Sequence, residues 1–135
     1  MAVVSGISLP PCPNKPNCVS TQAATPRHAI EPIRFTGTQE QAMAALLSVL
    51  REYPRTKITA HDSTTVRAEF TTRLMRFVDD GMFVIDEAAK LIHFRSASRV
   101  GYGDHGVNRD RMEEIRARFA AKLKRGKEQT CNVCS

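Results

Sequence analysis

Arg95-Ser96-Ala97-Ser98-Arg99-Val100-Gly101-Tyr102-Gly103-Asp104-His105-Gly106-Val107-Asn108-Arg109 is the stretch on which the fold turns. Glycine, small hydroxyls and arginine gather where a strand gives way to a helix. Gly101, Gly103 and Gly106 spell G-x-G-x-x-G, the spacing of a dinucleotide-binding turn. That turn works only when its helix leads to a second, parallel strand carrying an acidic residue. Here the motif follows the last strand-like run, and the helix behind it leads into a tail. The chain is therefore read as α+β with an antiparallel sheet, and the motif as a cation-rich corner.

Upstream lie four runs with strand character. Lys57 to His61 is short, and Asp62-Ser63-Thr64 is a turn to the next run. From Thr65 to Leu74, Val66, Ala68, Phe70 and Leu74 share one face, while Arg67, Glu69, Thr71 and Arg73 share the other. Phe77 to Asp86 predicts a third strand, with a bulge at Gly81. Glu87-Ala88-Ala89 turns the chain into a fourth, Leu91 to Arg99. Ile92 and Phe94 point one way from it; His93, Arg95 and Arg99 point the other.

Two helices flank the sheet. Thr38 can cap the first, with Gln41 completing a capping box. Met43, Leu46, Leu47 and Leu50 lie on one face, and Pro54 ends the helix at about residue 53. Asn108 is expected to cap the second, over about 108–124, with Met112, Ile115, Phe119 and Leu123 as its apolar stripe. The expected architecture is a four-stranded antiparallel meander with two helices on one face, in the order α-β-β-β-β-α. Residues 37–125 form this domain. Residues 1–36 form an irregular, proline-rich arm packed on it, and 126–135 a flexible tail.

The chain has 135 residues, enough for one domain and too few for two comfortable ones. Its net charge of +6 admits a small anion, an acidic protein or an anionic membrane surface. The last helix, basic and amphipathic, is one candidate for such a surface. Nucleic acid is disfavoured, because the basic strand face lacks stacking aromatics. No run is long and apolar enough to span a bilayer. The N-terminus has no basic segment before its brief apolar stretch, so the chain as written reads as cytoplasmic.

The cysteines form two terminal pairs, Cys12/Cys18 and Cys131/Cys134. The C-x5-C spacing of the first is poor for zinc. Structural thiols, a disulfide in an oxidising compartment, and a reactive Cys18 stay open for it. The four histidines are scattered, and no metal or cofactor set is assembled. The candidate site is the corner itself. Arg95, Arg99 and Arg109 are expected to converge near Gly101 and Gly106, either on an anion or on Asp79, Asp80 and Asp104 as counter-charges. No nucleophile–base–orienter set emerges, so a binding or accessory role is favoured over catalysis. An enzyme or redox protein using Cys18 or the arginine–aspartate cluster is the alternative.

Three segments resemble a bacterial and plastid family catalogued as domain of unknown function 1499. They are Cys12-Pro13-x-x-Pro16-Asn17-Cys18-Val19-Ser20, Thr72-Arg73-Leu74-x-Arg76-Phe77-Val78-Asp79-Asp80, and Arg95 to Tyr102 running into Gly106-Val107-Asn108-Arg109. Family strands usually continue Val-Glu-Phe after the paired aspartates; here Gly81-Met82-Phe83 follows. The resemblance implies a single compact domain and no established reaction. It adds a periplasmic or thylakoid-associated setting, and membership of a larger assembly, as alternatives.

Overall fold

Residues 8–100 and 106–134 are described in the computed structural model, with side chains described through residue 124. Thr38 begins helix α1, Gln39–Glu52, with both bonds of the capping box in place: Gln41 N–H donates to Thr38 Oγ1 and Thr38 N–H to Gln41 Oε1. Two orphan donors are thereby satisfied, and a cap of this kind is worth about 1 kcal/mol. Pro54 follows the C-cap Tyr53.

Among the described residues the sheet has six strands, not the four expected. Strands β1 (Cys18–Ser20) and β2 (Ile33–Arg34) come from the proline-rich arm. They precede β3 (Thr56–His61), β4 (Thr65–Thr71), β5 (Val78–Asp86) and β6 (Leu91–Ser98), and helix α2 (Val107–Cys134) closes the chain. β3 to β6 form the expected antiparallel meander. β1 and β2 both pair with the outer edge of β6, one beyond the other. Between them, Thr21 N–H donates to Phe94 O, and Phe94 N–H to Thr21 Oγ1. Pro16 and Pro32 keep both arm strands to two or three residues, too short for periodicity to reveal.

β4 ends at Thr71, not at Leu74. Thr72 N–H donates to Phe77 O and Phe77 N–H to Thr72 Oγ1, closing a hairpin loop over 72–77 in which Arg76 takes a φ of 59°. The apolar alternation thus runs on past the last paired residue. β5 is continuous, and Gly81 sits in regular register between Ala68 and Ser96. The bulge lies in β3 instead, between Ile58 and Ala60. Gly81 serves packing: a Cβ there would stand 2.6 Å from Phe70 Cε2.

Both helices cover the same sheet face. Phe70, Phe83 and Phe94 from the strands meet Leu46 and Leu50 of α1 and Met112, Ile115 and Phe119 of α2. Thr21 of the arm reaches the opposite face, where its hydroxyl meets His93 Nδ1, while residues 27–32 lie against α2, their carbonyls taken by Arg109 and Arg116. Cys12 and Cys18 form a disulfide that ties the arm to β1. α2 continues past residue 124, where its end was expected; no proline interrupts 125–134, and one glycine costs a helix only about 1 kcal/mol.

Candidate functional site

β4, β5 and β6 each bring a side chain to one end of the helix-covered sheet face. These are Phe70, Asp79 and the pair Ser96 and Ser98. The first turn of α2 lies over them. Gly106, with a φ of 80°, accepts the first helical bond from Asp110 N–H, so the helix begins one residue earlier than expected. Asn108 is therefore inside the helix and does not cap it. Its side chain is used up below. Ser96 Oγ donates to Asn108 Oδ1, and Asn108 Nδ2 donates to Asn17 O at 3.2 Å and Ser98 Oγ at 3.1 Å.

Arg111, one turn on, donates to Asn108 Oδ1 at 3.2 Å and to Asp79 Oδ2 at 2.8 Å. Its guanidinium also lies 4.7 Å from the Phe70 ring centroid. Arg111 is 7% exposed and Asp79 1%, so little of this ion pair reaches water. Such a pair is costly to assemble and costly to break from one side. Asp79 Oδ1 is buried and has no hydrogen-bond partner among the described residues.

Asp79, Arg111 and Phe70 line a cleft of about 550 Å³. Its walls are the 72–77 loop, the end of α1 at Tyr53, Pro54 and Arg55, the end of β6 at Ser98 and Val100, and the start of α2. Leu74, Met75, Phe77, Val100 and Val107 are the large hydrophobic side chains left exposed among the described residues, and all of them line this cleft. Tyr53 is fixed in the wall. Its hydroxyl donates to Glu114 Oε1 at 2.8 Å, its ring meets Phe70 edge-on, and Arg118 lies over it. Burial, the Glu114 hydrogen bond and the Glu114 charge push its pKa up to about 12. The same bond, with one from Arg118, holds the Glu114 carboxyl below its ordinary value.

The arginines expected at the corner have separate partners. Arg99 lies on the solvent side of the sheet and bonds Asp80 and Glu69, which together raise its pKa. Arg109 donates to the arm carbonyls of Ala29 at 2.9 Å and Arg27 at 3.1 Å. Arg95 donates to Pro11 O at 3.2 Å, and burial lowers its pKa. Asp79 pairs with Arg111 rather than with any of these three. Gly101 and Asp104 lie outside the described residues, as do the side chains of Cys131 and Cys134. Cys18 is 1% exposed and its sulfur is in the disulfide, so no thiolate is presented there. His93 is buried beneath the arm, which lowers its pKa against the pull of Asp86.

Arg111 is the member that sequence reasoning passed over. Yet it stands four and eight residues before Ile115 and Phe119, in phase with the buried stripe. A cation in that phase needs a buried partner, and Asp79 sits on the inward face of its own strand.

No helix among the described residues is long and apolar enough to cross a membrane. No curated protein matches the chain. The three segments that carried the resemblance meet at this site: the first supplies Asn17, the second Asp79 and the cleft rim, the third Ser96, Ser98 and Asn108. A family match extends over residues 8–119, which takes in every described side chain of the site. The chain belongs to the family described as protein of unknown function DUF1499.

Proposed function

We propose that the chain is a non-catalytic binding domain whose ligand enters the cleft beside Asp79. One observation carries this: Asp79, whose buried carboxylate oxygen Oδ1 has no partner among the described residues, lines a cleft that gathers the exposed apolar side chains. A buried acceptor left unpaired costs about 1–3 kcal/mol, which a donor brought by a ligand would recover. Pockets of this size with an apolar lining and a few convergent polar groups hold small molecules. The ligand is thus amphipathic, with a hydroxyl or ammonium head toward Asp79 and an apolar body at the rim. The anion expected at the arginine corner is the weaker candidate, since Arg95, Arg99 and Arg109 already bond carbonyls or carboxylates. The Cys12–Cys18 disulfide supports a periplasmic or thylakoid-associated setting over a cytoplasmic one.

Thermal melting with three probes of equal chain length tests the proposal: octylammonium, octanol and octanoate, the two ions below their micellar concentrations and octanol below its solubility limit. The first two should stabilise the protein and octanoate should not. At ten times Kd, linkage is worth about 1.4 kcal/mol. Phe77→Ser with Val107→Ser should abolish the shift. No stabilisation by any probe, or a shift unaffected by the rim substitutions, overturns the proposal.

A further inference from the structure

The 72–77 loop projects its apolar side chains into solvent. Leu74 is 87% exposed and Met75 66%. Side chains so open stand on a convex tip, whatever lies behind them. Arg73 and Arg76 bracket these two residues, and neither has a hydrogen-bond or ionic partner among the described residues. Arg55 stands at the loop base, its Nε bonded to Thr71 O at 3.2 Å. The loop itself contains no acidic residue. The nearby carboxylates are Asp110 on the cleft wall, Glu114, held by Tyr53 and Arg118, and Asp79, buried against Arg111.

We propose that this loop docks the protein on an anionic lipid surface, with Leu74 and Met75 entering the headgroup region and Arg73, Arg76 and Arg55 facing lipid phosphates. Two further observations favour a membrane over a protein partner. A stable protein interface takes about 800 Å² from each side, far more than a six-residue tip offers. Apolar residues interleaved with basic ones are the pattern of interfacial membrane segments. The basic amphipathic α2 does not compete for the role, because Met112, Ile115 and Phe119 are fully buried in the core. The docking stands whether or not the cleft holds a ligand.

Co-sedimentation with vesicles tests it, using phosphatidylcholine alone and a 7:3 mixture with phosphatidylglycerol. The wild type should bind the mixed vesicles and not the neutral ones. Binding should weaken at high salt, as exposed charges are screened. Arg73→Gln with Arg76→Gln should reduce binding about fivefold for each arginine removed. Leu74→Ser with Met75→Ser should reduce it about tenfold or more. Both pairs of substitutions fall on open side chains, so unchanged circular dichroism and melting are expected and serve as the folding control. A wild type that ignores the mixed vesicles overturns the proposal. So does binding that survives both double substitutions, since another surface would then carry it. Failure on vesicles, with the same substitutions breaking a complex with an acidic protein, would replace the membrane with a protein partner.

Discussion

Replacing Asp79 by alanine strands the Arg111 guanidinium in a place that is 7% exposed. Its bond to Asn108 Oδ1 at 3.2 Å and its contact with the Phe70 ring survive, but the charge loses its counter-ion. Breaking a buried pair from one side costs about 3–5 kcal/mol, and the surviving contacts put Asp79→Ala near 3. A domain is stable by only about 5–15 kcal/mol, so the loss is plain in urea unfolding. Removing both charges is different. With Arg111→Met added, the thioether chain can lie along Phe70 and no charge stays buried. The double variant should then lie within about 1–2 kcal/mol of wild type. The measurement is a full double-mutant cycle in urea, accepted only where the m values agree. A cost below about 1 kcal/mol for Asp79→Ala would refute burial of the pair in solution. So would a double variant as unstable as the two single losses added together.

Arg99→Ala should behave quite otherwise. Arg99 and Asp80 are each about half exposed and solvent screens them, so the loss should be far smaller than for Asp79→Ala and shrink further in salt, read from the same urea curves. Gly81→Ala drives a methyl against Phe70 and should cost about 1–3 kcal/mol; adding Phe70→Leu should recover part of it, and a neutral Gly81→Ala would place the ring elsewhere. The Tyr53 pKa is about 12 in the folded protein against 10.0 when free, so the folded state keeps a proton that the unfolded chain sheds. Its stabilising contribution is whole below pH 10 and fades as pH rises from 10 to 12, a slope that melting of Tyr53→Phe should lack. Reducing the Cys12–Cys18 disulfide frees a short loop and should cost about 2 kcal/mol, seen as a lower melting temperature in reductant that is absent in Cys12→Ser with Cys18→Ser.

How far the sequence foretells this structure depends on how many residues carry each signal. The capping box at Thr38 and the alternation through β4, β5 and β6 each spread over many positions, and these elements form there, β4 ending three residues early. β1 and β2 span three residues and two, so no period can be counted in them, and their partner β6 is remote in sequence. Leu74 misleads because hydrophobicity is ambiguous: the same side chain serves a core face or a recognition rim. Asn108 misleads because it stands at a helix start, where local capping chemistry and a tertiary network want the same amide. The cleft itself is set by three segments that only the fold brings together.

The way β6 is covered bears on what happens when the chain is damaged. Its outer edge is bonded along its length by residues of the arm: β2 at Leu91 and Ile92, Thr21 at Phe94, and β1 from Arg95 to Ala97. The other sheet edge, β3, has its own defences, with a bulge and the exposed Lys57 and His61. β6 has no bulge, its register with β5 being regular throughout. Proteolysis that removed the arm would lay bare an eight-residue strand with its amides and carbonyls unpaired. Such an edge templates pairing with any extended segment, including the β6 of another copy. The prolines and the disulfide therefore guard solubility as well as shape. A clipped preparation should turn up as strand-exchanged oligomers before it turns up as unfolded monomer.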